Sequence, residues 1–169
     1  MRVKILGKSW KKDLKDQGIE VVPVHALKTL LNDFPRILIC SRCSRNKNTT
    51  KESQFVKDLY ISNTHSAFCK WAISLDREYG ILSDKHGLIF HDEKIEYYDV
   101  HPSQLTDDDF IQLSLMIKNK MKKRKYDAFL FYNPSPLMSV PYFTMMSLTK
   151  FPIHYTTQLY PVVKRGFFK

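Results

Sequence analysis

Short apolar runs alternate with helical patterns along the chain. Residues 3–6, 19–24, 36–40, 81–83 and 126–132 are rich in aliphatic and aromatic side chains, so each predicts a strand. The runs at 36–40 and 126–132 are almost continuously apolar, which is typical of strands inside a sheet covered on both faces. The alternation predicts an α/β fold, a three-layer sandwich with a mostly parallel central sheet flanked by helices.

Helical signatures mark the segments between these strands. Apolar residues recur at helical spacing from 64 to 79, and Gly80 is the expected C-cap. Thr106 precedes three aspartates, and its spacing to Asp109 is that of a capping box, so a helix should begin there. Weaker patterns predict two further helices, at 25–32 and 140–150.

Length and composition indicate one folded domain. The chain has 169 residues, of which 43% are hydrophobic and 26% charged, which suits a single α/β domain over residues 1–169. No segment is continuously apolar over the roughly 20 residues of a membrane span, and the N-terminus is too charged for a secretory signal. We therefore expect a cytoplasmic protein without membrane contact. Three cysteines in a reducing compartment argue against a disulfide framework.

The charge balance is strongly basic. Lys and Arg number 27 against 17 Asp and Glu, giving a net charge of +10, and the acids are concentrated in residues 91–109. A basic surface favours polyanions, because each neutralised phosphate releases counterions. The alternative is a lysine-rich surface that serves solubility or thermal adaptation. The candidate nucleic-acid-binding residues form two clusters: Arg42, Arg45 and Lys47, and then Lys118, Lys122, Lys123, Arg124 and Lys125.

Polar loops follow three of the predicted strands, at 40–41, 83–87 and 133–135. Ligands of open α/β sheets bind beyond the carboxyl ends of the strands, so these loops should meet at one edge. In the second loop, Lys85 could hold an anion and His86 could move a proton near neutral pH. The alternative for this loop is a tight turn with a surface histidine.

Cysteine chemistry offers two further hypotheses. The Cys40 thiolate would be favoured beside two arginines, which would make Cys40 a nucleophile; the alternative is a small buried residue. Zinc could be held by a C-x2-C pair together with a histidine and a cysteine one helical turn apart. The spacing is not that of a standard finger, so we expect no metal and no other cofactor. The zinc ligands would be Cys40, Cys43, His65 and Cys69.

Motifs within residues 37–99 resemble a largely uncharacterised family of small domains. The family pattern has a strand ending in Cys-Ser, then Leu-Tyr-x-Ser, Leu-Ser-Ala-Lys-His-Gly-Leu and Ile-x-Pro-Tyr-Asp. Here Asp84 replaces the alanine and Tyr97 replaces the proline. A looser similarity joins this family to the core domain of archaeosine synthase, through positions that correspond here to Cys40, Ser41, Ser62, His65 and Phe68.

This resemblance implies an α/β fold similar to the uracil-DNA-glycosylase type and an association with modified bases, particularly 7-deazaguanine in tRNA or DNA. An RNA-binding domain is not appended in this sequence, so we expect a partner subunit to supply one.

A base-modifying site needs an aromatic surface, a group that reads the base edge and a cation for phosphate. Tyr60 or Tyr98 could stack the base, and Asp99 or Glu96 could accept hydrogen bonds from a guanine-like edge. Lys85 with Arg42 could hold phosphate. The expected catalytic residues are Cys40, Lys85, His86 and Asp99, and the expected substrate-binding residues are Ser41, Tyr60, Ser62, His65, Ser83, Gly87 and Tyr98.

The preferred hypothesis is a nucleic-acid-associated domain that binds a base or nucleotide at this edge and takes part in nucleobase modification. Its reaction would be modification of the base or processing of the N-glycosidic bond. Two alternatives stay open. One is a non-catalytic RNA- or DNA-binding accessory protein that uses the basic cluster at 118–125, and the other is a small-molecule enzyme acting on free nucleotides.

Overall fold

A six-stranded sheet forms the centre of the computed structural model, which describes residues 2–50 and 52–161. The strands in chain order are β1 (Ile19–Val21), β2 (Ile37–Arg42), β3 (Gln54–Phe55), β4 (Tyr79–Ser83), β5 (Gly87–Phe90), β6 (Lys94–Ile95), β7 (Ala128–Tyr132) and β8 (Ile153–Thr156). The order across the central sheet is β1-β8-β7-β2-β4-β5. Neighbouring strands are parallel except β5, which runs antiparallel to β4, and β3 pairs separately with β6. The α/β class and the mainly parallel sheet are therefore confirmed.

Helices connect most of these strands. They are α1 (Trp10–Asp16), α2 (Leu27–Asp33), α3 (Val56–Leu59), α4 (Asn63–Ser74), α5 (Asp107–Lys123) and α6 (Val140–Thr149). Among the residues that the structure describes, no helix is both long enough and apolar enough to cross a membrane.

Helices cover both faces of the sheet. Phe131 and Tyr132 are consecutive in β7, so their side chains point to opposite faces. Phe131 meets Phe143 of α6 edge to face at 5.6 Å between ring centroids, whereas Tyr132 stacks on Phe68 of α4 at 6.1 Å. This double coverage explains why β7 is apolar at every position.

The start of α5 is where the sequence places it. The hydroxyl of Thr106 accepts a hydrogen bond from the Asp109 N–H at 3.2 Å, and the Asp109 carboxylate accepts one from the Thr106 N–H at 2.8 Å. This reciprocal pair satisfies two donors that would otherwise lack partners at the helix start. The predicted capping box is confirmed.

Two local predictions are wrong. Helix α4 ends at Ser74, and Gly80 lies inside β4 rather than capping the helix. A Cβ at Gly80 would lie 2.6 Å from Leu88 Cδ1 of β5, so a larger residue here would require the Leu88 side chain to shift. Residues 3–6 are irregular rather than a strand, and the Val3 N–H donates to the Thr144 hydroxyl at 3.1 Å instead of to a neighbouring strand.

Candidate functional site

The carboxyl ends of three parallel neighbours, β4, β2 and β7, form one edge of the sheet. The last residues of these strands are Ser83, Arg42 and Tyr132. Ser41 is buried and donates its hydroxyl proton to the Tyr132 carbonyl at 2.8 Å, so it ties two of the strand ends together. The polar loops that follow these strands therefore start at a common edge.

A chain of three buried hydroxyls lies at this edge, formed by Tyr60, Tyr98 and Ser83. The Tyr60 and Tyr98 oxygens are 2.6 Å apart, and the Tyr98 oxygen is 2.7 Å from Ser83 Oγ. Ser83 Oγ also accepts the N–H groups of Lys85 at 3.2 Å and of His86 at 3.1 Å.

The proton order in this hydroxyl chain follows from counting lone pairs. Two N–H groups use both acceptor positions of Ser83 Oγ, so Ser83 donates its own proton to Tyr98. Tyr98 then donates to Tyr60. Burial raises the pKa of both phenols, which keeps them protonated as donors near neutral pH. The Tyr60 proton is therefore the free end of the chain.

Cationic side chains surround the Tyr98 ring. Lys47 Nζ lies 4.7 Å from the ring centroid and Lys85 Nζ 6.0 Å, and the His86 ring meets it edge to face at 5.2 Å. Over residues 2–50 and 52–161, neither ammonium group has a carboxylate oxygen within 4.0 Å. Burial lowers the pKa of His86, and the positive charge of Lys85 lowers it further, so this imidazole is neutral at pH 7.

A second buried polar cluster, the Asp84 triangle, consists of Cys43, Asp84 and Tyr142. Asp84 Oδ2 lies 3.3 Å from Cys43 Sγ and 3.3 Å from the Tyr142 oxygen, which are themselves 3.3 Å apart. Burial raises the pKa of Cys43 to about 11 and that of Asp84 above its ordinary value. The thiol therefore stays protonated and can donate to the carboxylate.

One peptide bond joins the two clusters, because Ser83 and Asp84 are consecutive residues. Ser83 ends β4, whose last side chains alternate between the two faces of the sheet. Ser83 contacts the hydroxyl chain, while Asp84 contacts Tyr142 of α6. The turn after β4 thus sends one polar side chain to each cluster.

The sequence did not reveal the Asp84 triangle. The sequence motifs identify Asp84 only as a replacement for alanine and Cys43 only as a possible zinc ligand, and no motif includes Tyr142. One local signal was available, since a carboxylate directly after an apolar strand is well placed for a functional role. Tyr142 offered no such signal, because it meets Asp84 only through the packing of α6 on the sheet.

Cys40 lies in the core with no exposed surface. Burial raises its pKa strongly, which is the reverse of the thiolate expected from the neighbouring arginines. Arg42 does not reach this thiol; it donates to the Cys43 carbonyl at 3.3 Å and contacts Met138 Sδ at 3.9 Å. Arg45 is exposed. The expectation of a favoured Cys40 thiolate is therefore wrong.

Asp99 does not join the hydroxyl chain. It is exposed, whereas Tyr98 beside it is buried. Only 2% of Tyr60 and 4% of Tyr98 is exposed, so a base could stack on either ring only after a neighbouring side chain moves. The structure brings the two tyrosines together and leaves the expected base-reading carboxylate in solvent.

Ser62 and His65 have contacts that position α4. The Ser62 hydroxyl caps the helix by accepting the His65 N–H at 3.2 Å. His65 Nε2 lies 3.0 Å from the Val56 carbonyl and 3.2 Å from Cys69 Sγ. Burial lowers the pKa of His65 to about 4, so the ring is neutral at pH 7. Both residues connect α4 to the segment before it.

Gly87 fits a position that excludes any side chain. Its φ is +71°, and a Cβ there would lie 2.9 Å from the Leu113 carbonyl oxygen and 3.2 Å from a side-chain carbon of Ile117. The turn between β4 and β5 thus packs directly on the backbone of α5. This close approach accounts for the glycine without invoking a ligand.

The four residues considered for zinc do not converge. His65 meets Cys69, but Cys43 belongs to the Asp84 triangle. In the described part of the chain, one group of three ligand-type side chains has its ligand atoms within 4.8 Å of one another, and it is formed by Glu78, His91 and Asp92.

Arg124 neutralises the carboxylates of that group. Its guanidinium donates to Glu78 at 2.7 Å and to Asp92 at 2.8 Å, and it lies 3.9 Å from the centroid of the Phe90 ring. The Arg124 side chain, which the sequence predicts to bind nucleic acid, therefore makes its contacts within the protein instead. Other members of the same cluster, Lys122, Lys123 and Lys125, are exposed, and Lys118 is half-buried.

The two basic clusters lie at opposite ends of the sheet. The Lys125 carbonyl accepts a hydrogen bond from Arg36 Nε at 2.8 Å, and Arg36 immediately precedes β2. Arg42, in contrast, is the last residue of β2. The length of one strand therefore separates the cluster at the end of α5 from the cluster at the carboxyl edge.

The fold and this edge define an α/β domain with a buried polar site beyond its parallel strands. Residues 37–135 match a family of unknown function, DUF6884, and the chain belongs to that family. The match includes the whole hydroxyl chain and ends before Tyr142 of the Asp84 triangle. No curated protein and no solved structure matches the chain. Membership of an uncharacterised family agrees with the sequence motifs, while the similarity to archaeosine synthase stays a prediction.

Proposed function

We propose that this domain binds a nucleotide unit of a nucleic acid at the carboxyl edge and takes part in modification of its base. The observation that carries the proposal is the placement of two ammonium groups, of Lys47 and Lys85, around Tyr98 without a carboxylate partner in the described residues. The ammonium group of a lysine acts as a point charge that can bind phosphate. The strongly basic surface supports the same kind of ligand.

The neighbouring groups supply the means to move protons. The neutral His86 imidazole can accept a proton near pH 7, and the hydroxyl chain ends in the Tyr60 O–H, which can donate a hydrogen bond. A base or N-glycosidic bond held by the lysine pair would therefore meet one acceptor and one donor. Modification of a base and cleavage of its glycosidic bond both need proton transfers of this kind.

The sequence resemblance narrows the proposal to bases of the 7-deazaguanine type in tRNA or DNA. A fold of the uracil-DNA-glycosylase type and a partner subunit that supplies an RNA-binding domain belong to the same proposal. The rival function is a non-catalytic nucleic-acid-binding accessory, which the exposed lysines at the other end of the sheet favour: Lys122, Lys123 and Lys125.

Binding of a nucleoside monophosphate separates these functions. Calorimetry should give a dissociation constant for the wild-type protein that weakens at least about tenfold in a Lys47→Ala/Lys85→Ala variant, because charge-assisted contacts to phosphate are lost. The matched control, Lys122→Ala/Lys123→Ala, also removes two charges but should bind the monophosphate unchanged. The reverse pattern, with tRNA affinity lost only in the control, would establish the accessory function instead.

Chemistry at the site is tested by incubating the protein with tRNA or DNA and identifying the nucleosides by mass spectrometry. His86→Ala should abolish any conversion while nucleotide affinity changes little. Conversion that persists in this variant would contradict the assigned role of His86. Turnover of free nucleotides alone, insensitive to salt, would favour the small-molecule enzyme.

A further inference from the structure

One carboxylate oxygen in the Asp84 triangle has no hydrogen-bond partner. Asp84 is 5% exposed, and its Oδ2 takes both neighbouring donors, Cys43 and Tyr142. In the described part of the chain, no donor lies within hydrogen-bonding distance of the buried Oδ1. A buried polar atom without a partner costs about 1–3 kcal/mol, so such an atom needs a reason to be retained.

Protonation of Asp84 does not remove this cost. A proton on Oδ1 would itself require an acceptor, and the described residues offer Oδ1 neither an acceptor nor a donor. A group from outside the chain would satisfy Oδ1.

The surroundings indicate the chemistry of that group. Burial raises the pKa of Asp84, and the hydrogen bonds from Cys43 and Tyr142 and the positive charge of Lys47 oppose this effect. The same ammonium group lies 4.7 Å from the centroid of the Tyr98 ring, so its charge acts both on Asp84 and at the proposed phosphate site. Two lone-pair positions stay open on Oδ1, while Oδ2 already accepts two bonds.

We propose that Asp84 Oδ1 accepts hydrogen bonds from the N–H edge of the bound base, and that Asp84 rather than Asp99 reads this edge. The inference rests on the proposed function. A guanine-type base suits the site, because its N1–H and N2–H donors are adjacent and two acceptor positions are open. Because Asp84 is only 5% exposed, binding of the base requires neighbouring side chains to move.

The test compares GMP with ribose 5-phosphate, which carries the phosphate and no base. In the wild-type protein, calorimetry should show GMP binding at least about tenfold more tightly, in line with the discrimination that base-edge contacts provide. Asp84→Asn places an amide at the site. Its oxygen can serve Cys43 and Tyr142, while its NH₂ group faces the ligand as a donor. The GMP preference should fall to within about twofold, with ribose 5-phosphate affinity unchanged.

A second measurement does not depend on the folding of a variant. A guanosine monophosphate methylated at N1 and twice at N2 has lost these N–H donors, so the wild-type protein should bind it no better than ribose 5-phosphate. A GMP preference that survives both Asp84→Asn and this methylation overturns the inference. Loss of the preference in Asp99→Asn alone would make Asp99 the reading residue.

Different results would contradict the proposed function and the role of Asp84. If neither GMP nor ribose 5-phosphate binds to the wild-type protein, the phosphate site and the inference fall together. If both bind equally and both weaken in Lys85→Ala, the phosphate site stands and the role of Asp84 is overturned.

Discussion

The phenolic oxygens of Tyr60 and Tyr98 lie 2.6 Å apart in the protein interior, although 38 positions separate the two residues. Tyr60 directly follows α3, and Tyr98 lies in the loop after β6. Through Ser83 the same hydrogen-bond chain reaches the end of β4. Three segments that are far apart in the chain are thus joined by hydrogen bonds between hydroxyl groups at the carboxyl edge.

Ser83→Ala should destabilise the fold by about 1–3 kcal/mol, because it leaves Tyr98 and two backbone N–H groups without their partner. Urea unfolding measures the change. Ser74→Ala on α4 also removes a hydroxyl bonded within the protein, but at an exposed position, so it should stay within about 0.5 kcal/mol. Equal losses in the two variants would mean that the hydroxyl chain adds nothing to stability.

Alanine substitutions at two glycines distinguish the effect of backbone conformation on stability from the effect of packing. Gly18 has a φ of +79° with nothing within 4 Å of a Cβ, whereas a Cβ at Gly87 would lie 2.9 Å from the Leu113 carbonyl. Gly18→Ala should cost about 1–2 kcal/mol for the left-handed backbone alone. Gly87→Ala should cost about 1–3 kcal/mol more through the clash with α5. Thermal or urea unfolding of both variants gives the comparison, and similar costs would contradict direct packing of this turn on α5.

His65 makes stability depend on pH. Its pKa is about 4 in the folded protein, well below the 6.5 of an unperturbed histidine, so the unfolded chain takes up a proton first as the pH falls. This contribution to stability is present at pH 7 and should decrease by about 2 kcal/mol at pH 5. In His65→Gln, the decrease in unfolding free energy between pH 7 and pH 5 should be smaller by that amount. An identical pH dependence in the two proteins would show that His65 is not buried in its neutral form.

Arg124→Ala should destabilise the protein by about 2 kcal/mol, since it removes two ion pairs and a contact with the face of Phe90. Lys122→Ala, two positions earlier and exposed, should leave stability unchanged within about 0.5 kcal/mol. Guanidinium chloride unfolding would underestimate the difference because salt screens ion pairs, so urea is the suitable denaturant. A loss of nucleic-acid affinity in Arg124→Ala with no change in stability would restore Arg124 as a ligand-binding residue.

The sequence predicts the structure best where the interacting residues are close together in the chain. Thr106 and Asp109 meet within one helical turn, so their spacing sufficed to place the start of α5. Gly80 shows the limit of local reasoning: a glycine after a helical pattern suggests a cap, but Gly80 lies inside β4, packed against the Leu88 side chain of the adjacent strand. The order of the strands in the sheet depends on pairings between distant segments, which no local pattern reveals.

The candidate site shows the same contrast between residues that local sequence predicts and contacts that depend on distant segments. Ser83 was expected at a strand end, and the motif that contains it lies where parallel strands finish. The next residue, Asp84, forms its hydrogen bonds with Cys43 and with Tyr142, which lies 58 positions further along the chain. No local pattern predicts these contacts. The sequence places Cys40 correctly on its strand, but the predicted thiolate is wrong because the thiol is fully buried, which raises its pKa.

Because the two basic clusters lie at opposite ends of the sheet, a nucleic acid must have a minimum length to contact both. β2 has six residues and therefore five rises of about 3.3 Å, so its ends are about 17 Å apart. On each strand of a duplex, phosphates recur about every 3.4 Å of helix axis, so this span corresponds to about five of them. A mononucleotide can occupy the carboxyl edge alone, whereas a duplex must be longer than about five base pairs before it can bridge the two clusters.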